Sequence, residues 1–180
     1  PDLGFTPDGD FPVIRAEMGI LIFEMIKKLP ASRGRGLELT SVRGGTAANA
    51  VPDCAKAVLM DSAGGGYDVI KEMVANCRDE NGWTISCRGA GKSLEITVRG
   101  KAAHGAKPEQ GINAISILMD FLGRLNLLND GASDFIDFYD KCIGYDLHGE
   151  RAGCALEDED SGKLIFNVGK IDMDKNAAKL

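Results

Sequence analysis

Residues 83–99 read WTISCRGAGKSLEITVR, two short runs of alternating character separated by a glycine-rich turn. Trp83 to Arg88 and Ser93 to Arg99 each alternate apolar and polar residues, which is the period-2 pattern of a strand with one buried face. The residues between them, Gly89-Ala90-Gly91-Lys92, are typical of a tight turn because glycine adopts positive φ without strain. The stretch therefore predicts an antiparallel β-hairpin.

Helical spacing occurs on both sides of this hairpin. Apolar residues recur three and four positions apart before it and again after it, and a third, shorter helix is indicated further on. The residues that carry these three patterns are Tyr67, Ile70, Val74 and Cys77; Ile112, Ile115, Leu118, Met119, Leu122 and Leu125; and Phe135, Phe138, Tyr139 and Cys142.

Further strands are predicted outside the hairpin, and polar or glycine-rich turns separate them. They are Val13 to Phe23 with a turn at Gly19, Leu37 to Val42, Val51 to Met60, and Leu164 to Ile171 after the polar turn at 157–160. Strands and helices come in blocks and do not alternate strictly. This order predicts an α+β fold, with a mostly antiparallel sheet and helices on one face.

Composition excludes several classes of function. The chain has 180 residues, of which 44% are hydrophobic, and a formal net charge of −6. An acidic chain without Lys and Arg clusters is a poor partner for a phosphate backbone, so we expect no nucleic acid as partner. No run approaches the roughly 20 apolar residues of a membrane span, so we expect no membrane partner either.

The cysteines favour a reducing compartment. Their number is odd, and they are widely spaced without any C-x-x-C pair, which predicts neither a disulfide framework nor a zinc knuckle. Cytoplasmic thiols are therefore expected at Cys54, Cys77, Cys87, Cys142 and Cys154.

The two histidines, His104 and His148, have no second histidine or cysteine at zinc-ligand spacing. His104 lies among small residues between the hairpin and the longest helix pattern. A histidine on a loop between rigid elements is either functional or an ordinary surface residue, and the residues alone leave both interpretations open.

Three segments resemble the family of PepV-type Xaa-His dipeptidases, in the same order and at similar separations. The first, residues 4–19, resembles the passage from the catalytic domain into the lid of these enzymes. The others are residues 44–53, GGTAANAVPD, and the stretch around His104 that continues through 111–114. The dipeptidases are similar to the wider zinc aminoacylase and carboxypeptidase superfamily, in which two zinc ions activate a water.

This resemblance implies roles for individual residues. Asp8 would be a zinc ligand, with Asp10 as the alternative; without the resemblance, Asp8 is an Asx-turn residue. His104 would donate a hydrogen bond to the oxyanion that develops on the attacked carbonyl. Asn49 would help to hold the substrate backbone, and its alternative is a turn residue after the glycine pair.

The resemblance also implies that the chain is a piece of a larger enzyme. The family requires a His-x-Asp motif, a bridging aspartate, a Glu-Glu pair and a later histidine ligand, and none of these motifs is in the chain. We therefore expect residues 1–12 to be the edge of a catalytic domain and residues 13–180 to be its lid. The lid would contain two ferredoxin-like subdomains, about 13–100 and 101–180, and would bind no zinc in isolation.

The expected parent is a dipeptidase that acts on short peptides with a free N-terminus, and its partners are the dipeptide and the remainder of the catalytic domain. Two alternatives stay open. The chain is a non-catalytic, ferredoxin-like binding or dimerisation module, or it is the lid of a related deacylase or aminopeptidase.

Overall fold

A computed structural model describes residues 18–31, 34–81 and 84–180. The described residues form eleven strands, three α-helices and a 3₁₀ turn at Pro108–Gln110. In chain order these elements are β1 (Ile26–Lys28), β2 (Leu37–Gly44), β3 (Ala50–Val51), β4 (Cys54–Asp61), α1 (Gly66–Asn81), β5 (Thr84–Ala90), β6 (Ser93–Arg99), β7 (Ala103–His104), α2 (Ala114–Gly123), α3 (Asp130–Cys142), β8 (Glu157–Asp158), β9 (Gly162–Lys163), β10 (Ile171–Met173) and β11 (Ala177–Lys179).

The main sheet of the described chain has seven strands in the order β1-β11-β10-β2-β4-β6-β5. Every neighbouring pair in it is antiparallel. Two small ladders, β3 with β7 and β8 with β9, lie outside it. The predicted α+β class with an antiparallel sheet is thereby confirmed, and the arrangement is consistent with a ferredoxin-like fold.

The helices cover one face of this sheet. Registered partners such as Leu39 and Leu59, or Ala57 and Ile96, point to the same side, and all four are fully buried. Helix α2 packs on β4 and β6 and is buried along nearly its whole length, while α1 packs beside β5. The opposite face is polar and carries ion pairs such as Lys56 with Glu95, 3.4 Å apart. One apolar layer therefore lies between the sheet and the helices.

The predicted hairpin is present as β5 and β6. Ala90 pairs with Ser93, so the turn consists of only two residues, Gly91 and Lys92. Gly91 has a φ of +62° and no other residue near the position of a Cβ. Positive φ at the first of two turn residues is the pattern of a type II′ turn, which suits the twist of paired strands.

Three predicted strands differ from the observed ones. Val51 to Met60 is interrupted, because Pro52 has no N–H to donate to a ladder. Residues 164–170 contain no strand, and pairing in that region begins at Ile171. In Val13 to Phe23, residues 13–17 lie outside the described residues, and the part from Met18 to Phe23 is not a strand; β1 begins later, where β11 supplies a partner.

Strands from both sides of residue 100 join the main sheet, and the division into two related subdomains stays a prediction. The first predicted unit, residues 1–12, lies outside the described residues. In the described part of the chain, no helix has both the length and the apolar character to cross a bilayer.

Candidate functional site

His104 lies at the end of β7, on the short connection between the β5–β6 hairpin and α2. Its residue pairs with Ala50 of β3, and its side chain is exposed. The chain then turns sharply, since the amide of Lys107 donates to the His104 carbonyl at 2.8 Å. The histidine is therefore presented at the surface by backbone that is fixed on both sides.

The imidazole of His104 is oriented by its own loop. The amide of Ala106 donates a hydrogen bond to Nδ1 at 3.1 Å. A ring nitrogen that accepts a hydrogen bond carries no proton, so in the neutral ring the proton is on Nε2. His104 is thus held as the tautomer whose outward nitrogen is a hydrogen-bond donor.

Asn49 lies directly across the small ladder from this loop. Its carbonyl accepts a hydrogen bond from the amide of Gly105 at 2.8 Å. A Cβ on Gly105 would lie 2.8 Å from the carbonyl carbon of Asn49, so the two backbones can approach this closely only at a glycine. The two residues predicted from the resemblance, Asn49 and His104, are therefore neighbours in the fold.

The carboxamide of Asn49 is exposed and makes no hydrogen bond to any residue within the described ranges. An amide that is free on both its C=O and its NH₂ can accept from one group and donate to another. This arrangement suits the backbone of a peptide, which offers both kinds of group in alternation.

Asn167 also belongs to this site, and the sequence patterns did not single it out. Its Nδ2 donates to the carbonyl of Ala50 at 3.0 Å and to the carbonyl of Ala48 at 3.3 Å. It lies in the segment that was predicted as a strand. A polar residue in the apolar run Leu164 to Val168 was the signal that could have found it.

Asn113 connects the same segment to the first turn of α2. Its Oδ1 accepts from the amides of Ile115 and Ser116, at 2.9 and 3.3 Å, which is a helix N-cap. Its Nδ2 donates to the carbonyl of Val168 at 2.9 Å. The rigid, buried helix is thereby tied to the loops that carry the candidate residues.

Two clefts lie beside these loops. One of about 560 Å³ is lined by residues such as Arg99, Glu109, Tyr145 and Phe166, and the other, of about 550 Å³, passes along Thr46–Ala48 and residues 165–170. Neither His104 nor Asn49 lines either cleft. Both residues are exposed in the described structure.

The side chain of His148 makes a hydrogen bond within the fold. Its Nδ1 lies 2.9 Å from the carbonyl of Leu164, to which it donates, and its backbone amide donates to Asp146. Burial alone would raise the pKa of Asp146, but the backbone amides of His148, Arg151 and Gly149 outweigh burial and lower that pKa. These contacts close the turn after α3.

The predicted zinc ligands, Asp8 and Asp10, lie outside the described residues. Within residues 18–31, 34–81 and 84–180, no three His, Cys, Asp or Glu side chains are grouped so that they could hold a metal ion. The described residues therefore do not form a zinc site of their own.

The sequence is similar to those of proteins named as dipeptidases. The chain is 33% identical over 180 residues to "Putative dipeptidase" of Staphylococcus epidermidis, which covers 99% of the chain and 38% of that protein. Relatives named putative dipeptidases in Staphylococcus haemolyticus and Staphylococcus aureus are 33% and 34% identical, over 97% and 100% of the chain and 37% and 38% of their own lengths. The chain thus spans well under half of these relatives.

The sequence profile of the M20 peptidase dimerisation domain matches residues 88–177, from the end of β5 to the start of β11. This range is half of the chain and includes His104, α2, α3 and Asn167. The chain therefore belongs to the peptidase dimerisation domain family of the M20 peptidases.

Proposed function

We propose that the chain is the lid of a di-zinc dipeptidase that hydrolyses short peptides with a free N-terminus. The observation that carries the proposal is the exposed His104, whose Nδ1 accepts from the amide of Ala106, next to Asn49, whose carboxamide makes no hydrogen bond within the described residues. The similarity to the staphylococcal relatives over nearly the whole chain supports it.

In this proposal, Nε2–H of His104 donates to the oxyanion that forms on the attacked carbonyl. Such a donor stabilises the transition state more than the ground state, because the charge on that oxygen develops during the reaction. The carboxamide of Asn49 binds the substrate backbone in the ground state and in the transition state alike.

The catalytic domain is the required partner of the lid. Two zinc ions, with Asp8 or alternatively Asp10 among their ligands, supply a polarised carbonyl and an activated water when they are bound. The described residues contain no group of three potential metal ligands, so we expect His104 and Asn49 to act only when the lid faces the rest of the protein. All five cysteines are in the described ranges and none forms a disulfide, which supports a cytoplasmic location.

The test is the steady-state kinetics of the full-length protein on a dipeptide. His104→Ala is expected to lower kcat about 10²- to 10³-fold with a small change in KM, as the loss of one oxyanion donor does. Lys107→Ala, an exposed change three residues away, is the matched control and should leave both constants unchanged. An unchanged kcat in His104→Ala would refute the catalytic assignment.

A related deacylase or aminopeptidase would use the same mechanism with a different pocket. Dipeptides, tripeptides and acylated amino acids separate these activities, because only a dipeptidase requires both a free amine and a short substrate. Turnover of acylated amino acids in preference to dipeptides would replace the first proposal.

A dimerisation module is the second candidate, and the family name favours it. The outer edge of β5 also has no partner strand within the described residues, and an open edge can pair with another chain. Sedimentation of the full-length protein measures this directly. A concentration-dependent dimer would support the module if the His104→Ala substitution also left kcat unchanged.

A further inference from the structure

We infer that Asn167 is a positioning residue that sets the place of Asn49. This inference rests on the proposed function and adds to it a residue to which neither the resemblance nor the comparisons give a role.

Three consecutive carbonyls in this loop are each bound. Those of Ala48 and Ala50 accept from Nδ2 of Asn167, at 3.3 and 3.0 Å, and the carbonyl between them, on Asn49, accepts from Gly105 at 2.8 Å. The backbone of Asn49 is thus held from two sides by partners that are far apart in sequence. Rotation about either flanking peptide would break at least one of these bonds.

Asn167 is itself held in place by the hydrogen bonds of its neighbours. Next to Asn167, the carbonyl of Val168 accepts from Asn113, which caps α2. On the other side, the amide of Phe166 donates to Leu147 at 2.8 Å. A Cβ on Gly169 would lie 2.4 Å from the Ala48 carbonyl oxygen, so this segment lies directly against the Asn49 loop. Asn167 therefore transmits the position of the buried helix to an exposed residue.

The chemistry of this position selects a primary amide. Two carbonyl oxygens require two N–H donors on one atom, and the NH₂ of asparagine supplies both. A carboxylate at residue 167 would place a negative charge against two acceptors, and an alanine would leave both without a donor.

Loss of the Asn167 side chain is expected to weaken substrate binding. If Asn49 contributes equally to the ground state and the transition state, displacing it raises KM and leaves kcat nearly unchanged. Losing the hydrogen bonds of one neutral side chain to a substrate weakens binding by roughly tenfold. We expect Asn167→Ala to raise KM of the full-length protein about tenfold. Asn167→Gln, which keeps both donors on a longer side chain, should recover part of this loss.

The decisive experiment is a double-mutant cycle in the full-length protein with Asn49→Ala, Asn167→Ala and the double variant. If Asn167 acts through Asn49, its substitution has no further effect on KM once Asn49 is alanine. A merely structural role would lower the fraction of active enzyme, which changes the apparent kcat but not KM. Asn126→Ala, an exposed asparagine elsewhere in the chain, is the matched control.

Each outcome has a separate meaning. A KM for the double variant equal to that of Asn49→Ala supports the inference, and additive effects overturn it. An effect of Asn49→Ala without any effect of Asn167→Ala overturns the inference and leaves the proposed function intact. If Asn49→Ala does not change KM, the substrate-binding role of Asn49 in the proposed function fails, and the inference fails with it. Should Asn167→Ala not fold, Asn167→Ser, which keeps one donor, serves in the same cycle.

Discussion

Asn129 is a buried polar residue whose side chain replaces the backbone of a strand. Its Oδ1 accepts from the amide of Leu39 at 3.2 Å, and its Nδ2 donates to the carbonyl of the same residue at 2.9 Å. Next to it, the amide of Leu128 donates to Leu37 at 2.7 Å. β10 pairs with β2 only at residues 42–44, so these contacts satisfy the part of β2 that β10 does not reach.

Asn129→Ala is expected to lower the free energy of unfolding by roughly 2–4 kcal/mol, because it leaves the buried N–H and C=O of Leu39 without partners. Urea unfolding of the wild-type and variant chains measures the difference. The control Asn126→Ala should stay within about 0.5 kcal/mol, since the side chain of Asn126 is exposed. Equal losses in the two variants would contradict the role given to Asn129.

The candidate residues fall into two groups by how they could be found. His104 and Asn49 were identified by resemblance, and the structure places them side by side, while their chemical roles stay predictions. The sequence patterns did not predict the side-chain hydrogen bonds made by Asn113, Asn129 and Asn167. The bonds of Asn129 and Asn167 join residues 90 and up to 119 positions apart, and no local pattern records such pairs.

At the scale of elements, the period of the apolar residues was a reliable guide. It predicted α1, α2, α3 and the β5–β6 hairpin, because each buries one continuous apolar stripe. It failed at residues 164–170. The backbone at Gly169 lies directly against Ala47 and Ala48, and the Asn167 side chain binds the carbonyls of Ala48 and Ala50, which a neighbouring strand would otherwise meet.

The hairpin turn allows a matched pair of substitutions. Gly91→Ala is expected to destabilise the chain by about 1–2 kcal/mol, because alanine is strained at positive φ. Gly89→Ala lies in the same hairpin with open space around it and no positive φ, so it should be neutral or stabilise by about 0.5–1 kcal/mol. Thermal unfolding of both variants provides the comparison, and a reversed order would rule out this turn geometry.

At the scale of the whole molecule, the sheet order was not predictable from the chain. β10 and β11 follow α3 in sequence, yet they lie between β1 and β2. Such long-range pairing depends on which strand edges remain open after the hairpins form. The periodic pattern of each strand identifies its buried face but not its neighbour.

A buried tyrosine between α2 and α3 makes the free energy of unfolding depend on pH in the alkaline range. The hydroxyl of Tyr139 lies 2.9 Å from Oγ of Ser116, and burial raises the pKa of this phenol well above its ordinary value of about 10. Above pH 10 the unfolded chain therefore releases the tyrosine proton first. The resulting stabilisation of the unfolded state lowers the free energy of unfolding as pH rises.

Tyr139→Phe should be less stable than the wild type near pH 7 by about 0.5–1.5 kcal/mol, because it loses one hydrogen bond. Above about pH 10 the difference should shrink and then change sign, since phenylalanine does not ionise. Urea unfolding at a series of pH values tests this. Parallel stability profiles for the two proteins would show that Tyr139 does not determine the alkaline limit.

The glycine contacts at 105 and 169 limit which parts of the surface can vary during evolution. At these two positions one backbone lies directly on another, with no volume for a side chain. Any residue larger than glycine there would displace the loops that carry Asn49, Asn167 and His104. One of the neighbouring clefts shares this restriction, because Asn167 and Gly169 are among the residues that line it. A descendant of this protein can therefore replace exposed side chains near the site, whereas positions 105 and 169 must remain glycine.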